Sequence, residues 1–134
     1  MTHKYIVVVG CGRLGAYLAS LLSGQGHSVV VIDQVGRSFA QLSAEFSGFQ
    51  IYGDASELDV LRQAKIEQAD SVFVTTSSDN INLMVAQVAR AIFKVSHVVA
   101  RVYNPQREAV YKELGVQVIN PTQLSANHFL QTIT

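Results

Sequence analysis

From Tyr5 to Asp33 the chain reads YIVVVGCGRLGAYLASLLSGQGHSVVVID, and this stretch restricts the fold more tightly than any other. A β-branched run, Ile6 to Val9, leads straight into Gly10-Cys11-Gly12-Arg13-Leu14-Gly15. Leu18, Leu21 and Leu22 then recur at helical spacing before a second β-branched run, Val29 to Ile32. The pattern predicts strand, glycine turn, helix and strand, the opening unit of a parallel α/β sheet.

Each glycine has a physical role in that unit. Gly10 permits the tight turn out of the strand, Gly12 leaves the backbone open to a pyrophosphate, and Gly15 lets the helix lie close to the sheet. The helix that starts here offers unpaired N–H groups and the positive end of its dipole to an anion. Asp33 closes the second strand about 20 residues on, where a carboxylate accepts hydrogen bonds from both ribose hydroxyls and repels a 2′-phosphate. The expected ligand is therefore an adenine nucleotide with a free ribose, NAD(H) or ATP/ADP, and not NADP. The candidate phosphate turn comprises Gly10, Cys11, Gly12, Arg13, Leu14 and Gly15, with Asp33 and the adjoining Gln34 at the ribose.

The 134 residues fit one domain, and a hydrophobic fraction of 49% with 15% charged residues suits a sheet covered on both faces. Ten basic and ten acidic residues balance, so no basic excess points to nucleic acid or anionic lipid. Apolar runs of four to six residues are too short to span a bilayer, and the start MTHKY lacks a signal-peptide core; a cytoplasmic location is expected. The single cysteine, Cys11, cannot form an internal disulfide. It is read as a small residue in a variable slot of the glycine turn, against the alternative of a redox sensor at a helix start.

Further along, Gln34 to Phe46 reads as a second helix on Phe39, Leu42 and Phe46. Phe49 to Tyr52 is a third strand, and Ser56 is placed to cap a helix carrying Leu58, Leu61 and Ala64. Ser71 to Thr75, His97 to Val102 and Gln117 to Ile119 supply three more strands. A long helix through Leu83, Met84, Val88, Ala91 and Ile92 and a helix from Pro105 to Leu114 lie between them. Six strands alternating with helices predict a Rossmann-like, doubly wound parallel sheet of order 3-2-1-4-5-6 over residues 1–120. Residues 121–134 form a terminal amphipathic segment with Leu124, Phe129, Leu130 and Ile133 on one face, which either folds back on the sheet or docks on a partner.

Ligands of such sheets bind beyond the carboxyl ends of the strands, at the switch point between the two halves. Gly53, Asp54 and Ala55 follow the third strand at that edge, where Asp54 either accepts from an adenine amino group or forms its own turn. Thr75, Thr76 and Ser77 follow the fourth strand and either bind phosphate and ribose or cap the long helix. Arg13 either reaches a β- or γ-phosphate, in its own or a neighbouring subunit, or stands solvated. Arg101, in a buried apolar run, needs a partner: Asp70, Asp54 or an interface or effector group. No nucleophile elbow or metal-ligand spacing is present, and His3, His27, His97 and His128 are scattered, with His27 at the sheet end away from the site. No catalytic constellation or substrate domain is apparent, so the chain is not expected to be an enzyme.

With these residues in place the sequence resembles the N-terminal RCK/KTN (TrkA-N) domain of the Trk/Ktr potassium-uptake regulatory subunits. The resemblance rests on GCGRLG at Gly10 to Gly15, VID ending at Asp33, and GDAS at Gly53 to Ser56. It continues through ADSVFVTTSSDNINL from Ala69 to Leu83, ARVYNP from Ala100 to Pro105 and LGVQVINP from Leu114 to Pro121. It implies a non-catalytic regulator that assembles as a homo-oligomeric ring on a membrane potassium-translocating subunit and responds to ATP/ADP or NAD(H). The glycine turn and Arg13 would bind phosphate, Asp33 ribose, and Asp54 and Ala55 adenine; the segment from Thr122 resembles a crossover helix exchanged between subunits. Thr75, Arg101 and Tyr103 stand where calcium-gated relatives carry carboxylates, and Thr122 stands where some ATP-binding members carry glutamate, so no metal is expected. The family's smaller C-terminal domain has no counterpart, which fits a truncated or a short natural form, and Met1 close ahead of the first strand speaks against upstream sequence. The alternatives are the nucleotide-binding part of an oxidoreductase whose catalytic portion lies elsewhere, and a TrkA-N module of a cation/proton antiporter.

Overall fold

The computed structural model describes residues 2–134. Its strands are β1 (Tyr5–Val9), β2 (Ser28–Asp33), β3 (Phe49–Tyr52), β4 (Ser71–Val74), β5 (Val98–Arg101) and β6 (Gln117–Ile119). They form one sheet of order β3-β2-β1-β4-β5-β6, every neighbouring pair parallel. The helices are α1 (Arg13–Gly24), α2 (Leu58–Gln63), α3 (Asp79–Ala91), α4 (Glu108–Glu113) and α5 (Pro121–Gln131). The predicted topology is the observed one.

Alternation along the central strands divides the core. Val7, Val9, Val30, Ile32, Val72 and Val74 face α2, α3 and α4, meeting Leu61, Val85, Ala89 and Tyr111. Ile6, Val8, Val29 and Val31 face α1, meeting Ala16 and Ala19. Successive strand residues point to opposite faces, so a strand buried on both sides must be apolar throughout, as Ile6 to Val9 is.

Three expected features differ. The segment from Gln34 to Phe46 is no α-helix: a short 3₁₀ turn occupies Gly36–Gln41, and Leu42 is extended. Gly36 and the β-branched Val35 disfavour helix here, and side-chain tethers hold the segment against α1. Gln41 Nε2 donates to the Cys11 carbonyl at 3.2 Å and the Ser43 N–H donates to Ser20 Oγ at 3.0 Å. Phe39, Leu42 and Phe46 still pack on the α1 side of the core, so the apolar positions were read correctly and their geometry was not. Ser56 does not cap α2, which starts after Glu57 without a side-chain cap. The Ser56 N–H instead donates to Asp54 Oδ1 at 2.9 Å, closing an Asx turn.

The Pro105–Leu114 helix is a 3₁₀ turn, Pro105–Arg107, running into α4. Asn120 accepts from the Gln123 N–H and caps α5, none of whose residues is buried. That helix does not fold back on its own sheet.

Candidate functional site

The turn after β1 is fixed before any ligand is considered. The Gly10 N–H donates to the Ile32 carbonyl at 2.8 Å and the Thr75 N–H to the Val9 carbonyl at 2.8 Å, joining the ends of β2, β1 and β4. The Thr75 hydroxyl is buried and lies 3.1 Å from the carbonyls of both Val9 and Gly10, so it braces the turn. Gly12 caps α1 with no side-chain hydrogen bond, and the first turn of α1 holds no acidic residue. A Cβ at Gly12 would meet nothing within 4 Å. The helix start therefore faces open space with its dipole and N–H groups available to an anion.

Asp33 is aimed by the backbone. Its Oδ2 accepts the Cys11 N–H and its Oδ1 accepts the Val35 N–H, each at 2.7 Å. Each carboxylate oxygen retains a second lone-pair site, so a vicinal diol can still be held.

Around these groups lies a cleft of about 300 Å³, at the small end of ligand pockets, which run from roughly 300 to 1,000 Å³. Of the residues singled out from sequence, Gly10, Gly12, Asp33, Gln34, Asp54, Ala55, Thr75, Thr76 and Ser77 line it. Cys11, Arg13, Leu14, Gly15 and Gly53 do not. Cys11 is fully buried with its thiol 3.5 Å from the Ser38 carbonyl. Gly15 and Gly53 serve close packing: an added Cβ would lie 1.8 Å from the Gly10 carbonyl oxygen and 3.0 Å from Val60 Cγ2, respectively. Arg13 lines a separate groove, with Tyr17, Leu21, Gln41 and Glu45.

Sequence reasoning left Val35, Ser38, Ser78, Ile81 and Arg101 outside the site, and all five line the cleft. Arg101 was signalled as a charge in an apolar strand, but neither suggested carboxylate pairs with it. Asp70 accepts the Tyr5 N–H at the other end of the sheet, and Asp54 is engaged by Ser56. That hydrogen bonding from Ser56 also holds the Asp54 carboxyl below its usual value. Arg101 Nη2 donates instead to the Thr76 carbonyl at 2.9 Å. Behind this wall sits Asn82, fully buried and bonded to both Thr76 and Arg101. The long helix is capped by Ser78, whose Oγ accepts the Ile81 N–H, and not by Thr75, Thr76 or Ser77.

Burial, aided by the neighbouring Asp33 charge, pushes the Cys11 thiol up to about 11. Cys11 is thus expected to react with iodoacetamide at neutral pH at least about a hundredfold more slowly in the folded chain than in denaturant. Mass spectrometry of the alkylated protein reads this directly; equal rates would mean that the thiol is exposed. The raised folded-state value also fixes a sign. The stability contribution is complete below the unfolded value of 9.0 and is lost as pH climbs toward 11.

An open parallel sheet with a braced glycine turn, an oriented strand-end carboxylate and a cleft at the switch point defines a Rossmann-type ligand-binding domain. The sequence matches the TrkA-N domain family over residues 6–121. The chain belongs to that family. It is 40% identical over 129 residues to the Trk system potassium uptake protein TrkA of Streptomyces coelicolor, covering 96% of this chain and 58% of that protein. The chain thus spans less than two thirds of the curated relatives it matches.

Among solved structures, the TrkA-N domain of the inner membrane protein ybaL from Escherichia coli superposes with a TM-score of 0.87. It is 22% identical, and the alignment covers 99% of this chain and 98% of that one. The GsuK RCK domain is 26% identical with a TM-score of 0.76, covering 94% of this chain and 27% of that one. GsuK has also been solved bound to NAD, with a TM-score of 0.72 at 23% identity, over 88% of this chain and 21% of that one. Its ADP-bound structure gives 0.76 at 21% identity, over 92% and 32%.

Proposed function

We propose that this chain is the nucleotide-binding module of a regulatory subunit in a potassium transport system, and that it senses an adenine nucleotide without turning it over. The observation that carries the reading is the pairing in one cleft of an open helix start at Gly12 with an Asp33 carboxylate held by two backbone N–H groups. The first suits phosphate and the second suits ribose. GsuK, of the same fold, has been solved with NAD and with ADP, and the curated relatives carry potassium-uptake names. The glycine turn, Asp33, and the Asp54-Ala55 edge are the proposed phosphate, ribose and adenine subsites. No helix among the described residues is long and apolar enough to cross a membrane. In this reading the module works on the cytoplasmic side through a membrane partner.

A regulator acts only through a difference. Nucleotides that bind two assembly states equally shift nothing, however tightly they bind. The test is calorimetric titration with ATP, ADP, NAD and NADH, each alone. At least one is expected to bind with unit stoichiometry, and at about 100 times its Kd to raise stability by about 2.7 kcal/mol. Failure of all four would leave an assembly scaffold and overturn the sensor reading.

In the same reading α5 joins two copies of the chain. Phe129 is 74% exposed and Ile133 81%, with Leu124 and Leu130 beside them, an apolar face that association would cover. Phe129→Asp is expected to turn a dimer into a monomer in light-scattering chromatography with little change in melting temperature. A wild-type chain that is already monomeric at high concentration would remove α5 from assembly.

A further inference from the structure

We infer that the outer face of α1 is an interaction surface for a second copy of this chain, the two helices lying antiparallel across a two-fold axis with Arg13 of each against Glu45 of the other. This surface is separate from α5 and from the cleft at the switch point.

The outer face of α1 is apolar where solvent would favour charge. Residues 13–24 carry one charged side chain, Arg13, at the first position. Leu14, Tyr17, Leu21 and Gly24 are all exposed, and their spacing of three or four residues sets them in one line along the helix. Tyr17 is 67% exposed and Leu21 43%. The opposite face, with Gly15, Ala16 and Ala19, is already buried against the sheet. A helix that is apolar on both sides is one that is covered on both. A groove runs beside the exposed line, bounded by Arg13, Tyr17, Leu21, Gln41 and Glu45.

Two charges at the ends of the line indicate what covers it. Arg13 is the first residue of α1, at the positive end of the helix dipole. Glu45 lies at the negative end: a Cβ on Gly24, the last residue, would come within 2.8 Å of Glu45 Oε2. Each charge is unfavourable where it stands, and about 16 Å of helix separates the two. Among the described residues the one ion pair is Arg62 with Asp59, so neither Arg13 nor Glu45 has a counterion in its own chain.

An antiparallel second copy satisfies both. It brings a carboxylate to Arg13 and to the positive end of α1, and a guanidinium to Glu45 and to the negative end. With the axis at the level of Ala19, Tyr17 meets the partner's Leu21, and Leu14 meets the partner's Gly24, where the missing side chain admits it. A parallel copy would instead set like charges together. A patch one helix wide falls short of the roughly 1,000 Å² of a stable interface. The contact therefore forms at high concentration, or between copies already held together elsewhere.

The experiment is sedimentation velocity without nucleotide, from micromolar to millimolar, on the Phe129→Asp chain, which isolates α1 from any contact through α5. Arg13→Glu and Glu45→Arg are added to it singly, each variant first shown to melt cooperatively. The parent is expected to dimerise reversibly at the upper end of the range, and added salt weakens it. Either reversal makes the two ends of the face alike in charge and weakens self-association at least about tenfold. Mixing the two variants restores a heterodimer, because one face is then acidic at both ends and the other basic at both. A role for either residue within its own chain does not produce that rescue. A parent that stays monomeric throughout leaves the face to some other partner and overturns the inference. A dimer indifferent to both reversals, or a mixture that associates no better than its components, overturns it as well.

Discussion

Gly15→Ala is expected to destabilise the chain by about 3 kcal/mol or more, while Gly12→Ala, three residues away, costs below about 1 kcal/mol yet abolishes nucleotide binding. The two glycines share a motif and differ in what surrounds them. A Cβ at Gly15 would sit 1.8 Å from the Gly10 carbonyl oxygen, 2.9 Å from its carbon and 2.7 Å from Thr75 Oγ1. None of these can move alone. Gly10 is bonded through its N–H to Ile32, and Thr75 through its N–H to Val9, so relief means lifting α1 from the sheet and uncovering Ala16 and Ala19, both buried. A Cβ at Gly12 meets no protein atom within 4 Å and intrudes only on the space proposed for phosphate. Urea unfolding separates stability, and calorimetry with ADP separates binding. An unchanged midpoint for Gly15→Ala would refute the close approach. Wild-type ADP affinity in Gly12→Ala would place the phosphates elsewhere.

What was legible in the sequence was what depends on short-range pattern. The β-branched runs and their spacing gave six strands, and the doubly wound order followed from the handedness of crossovers. Asp33 was legible because the end of the second strand puts a carboxylate at one known place. The segment after it was not, because Phe39, Leu42 and Phe46 fall at helical spacing whether the chain winds as α-helix or is strapped across α1 by Gln41 and Ser43. Which groove Arg13 and Arg101 each line was hidden for a related reason. Periodicity assigns a residue to an element, but which wall its side chain lines depends on neighbours distant in sequence: Gln41 and Glu45 for Arg13, Thr76 and Tyr103 for Arg101. Asn82 was invisible for the same reason, since a polar residue on a helix reads as solvated until its partners are known.

Asn82 is where the second large effect is expected. Its side chain is fully buried. Oδ1 accepts the Thr76 N–H at 3.1 Å and the Thr76 hydroxyl at 2.5 Å, while Nδ2 donates to the carbonyls of Thr76 and Arg101, each at 3.0 Å. An amide has two acceptor sites and two donor hydrogens, so its capacity is filled. Replacing it with leucine, close in volume, strands an N–H, a hydroxyl and two carbonyls against a buried apolar side chain. Each stranded group costs about 1–3 kcal/mol where nothing else compensates. The Thr76 hydroxyl has Ser78 as a second acceptor and the Thr76 carbonyl keeps Arg101, so the expected total is about 3 kcal/mol, not the full sum. Asn82→Leu should therefore unfold at clearly lower urea, and hydrogen exchange at the Thr76 amide should quicken beyond the change in global stability. ADP affinity should fall as well, although Asn82 does not line the cleft, because Thr76 and Arg101 form its second wall and are held in place from behind. A loss of stability with unaltered ADP affinity would separate the hub from the site; a loss below about 1 kcal/mol would mean that the network is redundant. The polar residue that is most deeply buried in α3 thus links the end of β4 to the end of β5, and the second half of the cleft keeps its shape only while that link is intact.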